Sequence, residues 1–151
     1  MEKGDDYGIK PEGLGARDSL RLEAGLSLYG HELSDTISPI EASLSWLVSS
    51  NESYIAKDII LKQKQNGASR EVIAFELSEK GIPRENYQIF SDNVNIGHIT
   101  SGGFSPTFKK GIGFGLVKKS SVKVGDSIAI EIRNKMVKGE VVKRPFYKYN
   151  G

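Results

Sequence analysis

The sequence predicts an α+β chain, an N-terminal helical segment followed by a small antiparallel β-barrel, and three observations carry that reading. Ala16, Leu20 and Ala24 stand four residues apart, the spacing of one helix face. From Arg70 the period changes to two, so that Ile73, Phe75 and Leu77 share one side of a strand. Beyond it, short apolar runs alternate with Gly, Ser, Asn and Asp turns, as in a barrel, whose closure also removes exposed edges.

Taken in order, residues 1–11 are polar and aperiodic, a connector or frayed end. A helix follows Gly13 and ends between Gly25 and Gly30; as an interior residue Gly25 would cost about 1 kcal/mol relative to Ala. Arg17 and Arg21 share another face of it, and like charges at that spacing repel. Asp18, Glu23, a neighbouring domain or an anionic ligand must compensate them. Ser38, Pro39 and Glu41 read as an N-cap, a first helical position and a capping-box partner. Residues 42–48 would then form a short helix or strand with Trp46, the only tryptophan, as a core anchor.

Residues 51–53 mark a boundary, which divides the chain into segments 1–50 and 51–151. Residues 54–66 read as a helix with Ile55, Ile59 and Ile60 on its buried side and Gly67 as its stop. Strands are expected at 70–77, 87–90, 96–100, 112–117, 127–132 and 137–142. Gly102-Gly103, Ser120-Ser121, Gly125-Asp126 and Gly139 would punctuate them. The Gly111-x-Gly113-x-Gly115 pattern alternates with Ile112, Phe114 and Leu116 and opens no helix, so it reads as a barrel strand rather than a phosphate loop.

A chain of 151 residues, 38% hydrophobic and 26% charged, can bury a core and lacks the bias of a disordered segment. No apolar run approaches the roughly 20 residues of a membrane span and no signal-peptide pattern opens the chain, which reads as soluble and cytoplasmic. With no cysteine, and only His31 and His98 as histidines, no metal site is expected. Residues 1–100 carry 10 Lys/Arg against 16 Asp/Glu, whereas residues 101–151 carry 11 against 3. That basic last third reads as a solvated lysine-rich face, as a surface steering an acidic partner, or, least so, as a nucleic-acid surface. No Walker motif, nucleophile elbow or Ser/His/Asp arrangement stands out.

The run from Gly13 to Gly30, GLGARDSLRLEAGLSLYG, resembles the aminomethyltransferase (T-protein) family of the glycine cleavage system. So do Thr36-Ile37-Ser38-Pro39-Ile40-Glu41-Ala42, Leu44-Ser45-Trp46, Ile99-Thr100-Ser101-Gly102, Ser105-Pro106, Ile132-Arg133-Asn134-Lys135 and Pro145-Phe146-Tyr147, in the family's order. Family members are much longer, and their N-terminal half holds the catalytic aspartate. The resemblance therefore implies a C-terminal part, inactive alone: the tail of a folate-binding domain in 1–50 and a C-terminal barrel domain in 51–151. No catalytic residue is expected within it.

The resemblance further implies tetrahydrofolate as substrate, with the lipoylated carrier (H-protein) and the N-terminal half as partners, and the acidic partner that the basic last third would steer is then that carrier or folate polyglutamate. It makes Arg17 the folate-binding arginine of the GLGARD motif, where the residues alone would suggest a helix-surface arginine in an ion pair. Arg21 and Glu23 read as structural, and Trp46 would lie near the folate cleft. In the closing segment Tyr149 first and Lys148 second are the tail residues that would return to the substrate, against plain surface placement. A free-standing, non-catalytic barrel module binding folate, a protein or nucleic acid is the alternative.

Overall fold

Strand alternation from Arg70 onward closes into a barrel in the computed structural model, which describes residues 2–148. Its strands are β1 (Arg70–Leu77), β2 (Gln88–Ser91), β3 (Val94–Ser105), β4 (Lys110–Lys118), β5 (Ser127–Ile132) and β6 (Lys135–Val142). They run antiparallel in the closed order β1-β4-β3-β2-β5-β6, so no strand is left with an open edge. Two hairpins set the register. Asp92-Asn93 and Arg133-Asn134 all have positive φ, the geometry of two-residue turns whose twist matches the flanking strands.

Ile73, Phe75 and Leu77 point into the barrel with Ile89, Ile99, Ile130 and Val141. Facing them are Gly113 and Gly115 of β4; a Cβ at Gly113 would lie 2.6 Å from Phe75 Cζ, and one at Gly115 would overlap Ile89 Cδ1. The glycine pattern is thus a strand whose missing side chains make room for Phe75 and Ile89. On the outer wall the alternate residues Val72, Ala74, Ile112, Phe114 and Leu116 form a second apolar cluster with Leu22 and Ile37, flanked by Val142 and Phe146. β1 and β4 are consequently covered on both faces.

The covering comes from the N-terminal segment. Helix α1 (Glu2–Asp5) lies where the sequence suggested a connector, and α2 (Leu14–Glu23) stands against β3 and β4. Gly25, at φ +76°, closes α2: its N–H and that of Leu26 bond the carbonyls of Leu22 and Arg21 at 3.0 and 2.9 Å. The glycine is therefore the stop itself, and the helix ends earlier than its pattern predicts. The expected contact face also differs. Leu22 and Glu23 face the barrel, whereas Leu20 is 67% exposed and Ala16 and Ala24 lie beside it on the open side.

The capping box forms, with Ser38 N–H on Glu41 Oε2 at 2.8 Å and Glu41 N–H on Ser38 Oγ at 3.3 Å, but it closes a single turn that Ser43, at φ 63°, interrupts. Only a 3-10 turn, Ser45–Leu47, follows, and Trp46 is 76% exposed rather than a core anchor. Helix α3 (Lys57–Asn66) ends at Gly67 as expected, yet none of its residues is fully buried and Ile55 before it is 94% exposed. Ile59 is exposed as well and Ile60 only half-buried, which local periodicity cannot foresee. β3 also runs straight through Gly102-Gly103, because the absence of a Cβ lets Gly102 sit under the buried Pro83, whose carbonyl oxygen would be 2.9 Å from one. Gly139 likewise lies within β6, paired with Leu77 and Ile128.

Candidate functional site

Three consecutive residues at the end of α2 fasten it to the barrel. Glu23 accepts bonds from Ser105 Oγ and from Thr107 Oγ1, the latter at 2.7 Å. Burial is the strongest single influence on its carboxyl and favours the neutral form, but the bonds from Ser105 and Thr107 together hold its pKa below the usual 4.5. Leu22 fills the outer cluster. Arg21 reaches inward to Glu32, which is 0% exposed: Nη1 lies 3.1 Å from Oε2, and Nη2 lies 2.9 Å from Ser101 Oγ.

Glu32 also accepts from Leu28 N–H at 3.1 Å and Thr100 Oγ1 at 2.6 Å, so its charge is fully bonded. A second cation, Arg144, feels it. The Arg144 guanidinium sits 5.3 Å from the centroid of the Phe114 ring and bonds Ala42 O at 3.2 Å. Burial lowers its pKa, and the charge of Glu32 works against that.

This fastening leaves two grooves on the open side of α2. One, about 800 Å³, is walled by Ala16, Leu20, Ala24, Leu26 and Tyr147. The other, about 530 Å³, lies between α2 and the loop at Arg84, Glu85 and Asn86, with Thr100, Ser101 and Gly102 as its floor. Arg17 lines both grooves and is exposed, and its guanidinium makes no hydrogen bond or ion pair with any described residue. Arg21, four residues on, takes Asp18 at 2.7 Å as well as Glu32, which resolves the like-charge conflict for one arginine only. Such a guanidinium at the junction of an apolar and a polar groove can bond a planar, hydrogen-bonding ligand edge or a carboxylate.

Of the tail residues, Lys148 is exposed at the end of the described chain, and Tyr149 lies outside the described residues. Tyr147 is the tail residue that lines the groove with Arg17, its N–H bonded to Glu23 O at 2.9 Å. Sequence reading passed over it; its signal was an aromatic residue in a closing segment whose alignment is loose by a residue. Arg84 was also passed over, and the buried proline before it is the signal that this loop is fixed. Arg21 and Glu23 are structural, as their motif suggested. Among the described residues no group of three or more His, Asp or Glu could hold a metal ion, and no helix is long and apolar enough to cross a membrane.

Glu41 behaves as Glu23 does. Burial alone would raise its pKa, but bonds from Arg70 Nε at 2.8 Å and from Ser38 bring it below 4.5. Carboxyls depressed in the folded state stabilise it fully above their unfolded pKa and lose that contribution as pH falls through the folded value. The urea midpoint is therefore expected to drop between pH 5 and pH 3, and the double variant Glu23→Gln/Glu41→Gln to show a flatter dependence over that window. An equally steep drop in the variant would assign the acid sensitivity elsewhere.

A closed six-stranded antiparallel barrel, with an arginine-bearing helix fastened to its outer wall and grooves on the helix's far side, is the class of protein that fold and site define. Residues 70–148 match the family model described as the glycine cleavage T-protein C-terminal barrel domain, and residues 1–52 match the GCVT N-terminal domain. The chain is 48% identical over 151 residues to the aminomethyltransferase of Caldanaerobacter subterraneus subsp. tengcongensis, covering 99% of this chain and 40% of that protein. It is 44% identical over 150 residues to the aminomethyltransferase of Bacillus subtilis, covering 98% of this chain and 41% of that one. The crystal structure of the glycine cleavage system aminomethyltransferase T from Bartonella henselae superposes with a TM-score of 0.87 at 32% identity, over 95% of this chain and 41% of that one. The chain belongs to the glycine cleavage T-protein (aminomethyltransferase) family, and it spans about two fifths of the length of these relatives.

Proposed function

We propose that this chain is the C-terminal portion of a tetrahydrofolate-dependent aminomethyltransferase. The parent enzyme moves the one-carbon unit of an aminomethyl group from the lipoyl arm of a carrier (H-protein) to tetrahydrofolate and releases ammonia. The observation that carries the reading is Arg17, unpartnered among the described residues at the junction of two grooves, in a chain whose relatives are aminomethyltransferases. Residues 1–50 are then the tail of the folate-binding domain and 51–151 the barrel domain. The N-terminal portion that the longer relatives carry supplies the catalytic carboxylate and covers the open stripe of Ala16, Leu20 and Ala24. Arg17 holds folate, with Tyr149 or Lys148 closing over it from the tail, and the basic last third meets the carrier. The enzyme works in the cytoplasm.

The test joins this chain to the N-terminal portion of a relative and compares it with the chain alone. The joined protein is expected to release ammonia from aminomethyl-loaded carrier, and the chain alone to release none above a no-protein control. Losing one partner of a charged hydrogen bond costs about 1.5–3 kcal/mol, so Arg17→Ala in the joined protein should weaken folate binding roughly ten- to a hundredfold. Its melting temperature should hardly change, because the exposed Arg17 guanidinium bonds no described residue. Ammonia release by the chain alone, or unaltered folate affinity in the variant, would overturn the corresponding part of this reading.

A further inference from the structure

Helix α3 ends on Asn66-Gly67, the one Asn-Gly pair among the described residues. An asparagine amide carbon can close a five-membered ring with the next backbone nitrogen, and the side chain of the following residue is what ordinarily hinders that approach. Glycine has none. A Cβ built on Gly67 would meet nothing within 4 Å, so the space around the pair is open to water. Asn66 is exposed, and its side-chain amide makes no hydrogen bond with any described residue. The attacking nitrogen is not capped either. At the matching place on α2, Ala24 N–H bonds Leu20 O at 3.0 Å, whereas Gly67, turned out of the helix at φ 84° and ψ 155°, makes no such bond. The other described asparagines all precede a residue with a side chain. Asn93 and Asn134 also sit in tight hairpin turns, and Asn95 gives its amide to Gln88 Oε1 at 2.8 Å.

We propose that Asn66 is a site of spontaneous covalent modification, at which its side-chain amide closes on the Gly67 nitrogen to an imide that water opens to aspartyl and isoaspartyl forms. Gly67 N loses its proton to hydroxide and attacks Asn66 Cγ. The Cγ–Nδ2 bond breaks, and Nδ2 takes a proton from water and leaves as ammonia. Water then adds to one of the two imide carbonyls. Breaking the new Cγ–N bond gives aspartate, and breaking the original peptide C–N bond leaves the main chain running through Cγ. No oxidant, reductant or enzyme enters. The ammonia is a single molecule per chain and needs no carrier, which separates it from the turnover expected of the joined protein. Either product places a carboxylate at the C-terminal end of α3, where the helix dipole already presents negative charge. The isoaspartyl form also adds a methylene to the main chain between α3 and β1. Lys119 N–H bonds Ser69 O at 2.9 Å, which fixes the start of β1, so the helix end rather than the barrel takes up the change.

The test incubates the whole chain in mildly alkaline buffer and follows each asparagine by peptide mapping with mass spectrometry. A second Asn-Gly pair, Asn150-Gly151, lies outside the described residues and is read on a separate peptide. Conversion at Asn66 is expected to exceed that at Asn93, Asn95 or Asn134 by about tenfold or more, with the isoaspartyl form in excess. Asn66→Gln, whose ring would need six members, should abolish it, and Gly67→Ala should slow it. Should the Gly67 variant fail to fold at that positive φ, the exposed Asn66→Gln change still decides. Three results would overturn the assignment: Asn66 intact when a free peptide of residues 64–70 has converted, equal conversion at Asn93 or Asn134, or aspartate without isoaspartate, which would mean that no ring had formed.

Discussion

Glu32→Ala is expected to destabilise the chain by about 3–5 kcal/mol, measured as the shift in the urea midpoint at constant slope. The carboxylate is wholly buried, and its removal leaves Arg21 without its buried counter-charge and Thr100 and the Leu28 N–H without an acceptor. Arg144 loses a favourable charge as well. Breaking one side of such a network costs more than replacing both sides by apolar groups, because the remaining charge stays out of water. The double variant Arg21→Met/Glu32→Leu should therefore lose less than the sum of its single changes. Strict additivity would show that the two residues are not energetically coupled, whatever their distance.

The second large effect belongs to Gly97. A Cβ there would overlap the Leu116 carbonyl oxygen and lie 2.8 Å from Val117 Cα, so the obstruction is the backbone of β4, which no rotamer can relieve. Gly97→Ala must push β3 from β4 beside the Val117 pairing, and a loss of about 3 kcal/mol or more is expected. Gly103→Ala is the control on the same strand. Its nearest neighbour is the tip of Leu22 at 3.9 Å, and its melting temperature should stay near that of the wild type. Equal loss at both sites would point to strand conformation rather than space.

These two residues also show what the sequence made legible. Period-two patterning located all six strands, and for β1 and β5 to the residue, because one side of each strand must be apolar to fill the barrel. It misread Gly102, Gly103 and Gly139 as turns, since a glycine that breaks a strand and one that lets two backbones meet look alike in sequence. For α2 the pattern identified an apolar stripe but assigned it to the wrong side. Leu22 and two charged residues face the barrel, and the charged pair is compensated by Glu32, Ser101, Ser105 and Thr107, whose positions only the fold brings near. Trp46 and Ile55 failed for the same reason, because a large apolar side chain announces that it will be covered without saying by what. Of the residues that line the two grooves, the sequence reading singled out Arg17. Tyr147 and Arg84 reach these grooves through tertiary structure alone.

The long reach of Arg21 bears on the order in which the chain acquires its shape. Its bond to Ser101 joins residues 80 apart, and Glu23 is tied to Ser105 and Thr107 across 82 and 84. A helix of 10 residues is marginal in water by itself, so α2 has little to hold it until its partners on β3 are in place. On the ribosome this helix leaves the exit tunnel long before β3, and the barrel cannot close until β6 has followed. Within this chain the helix that bears Arg17 is thus among the last elements to set, docking onto a wall assembled from sequence that comes after it.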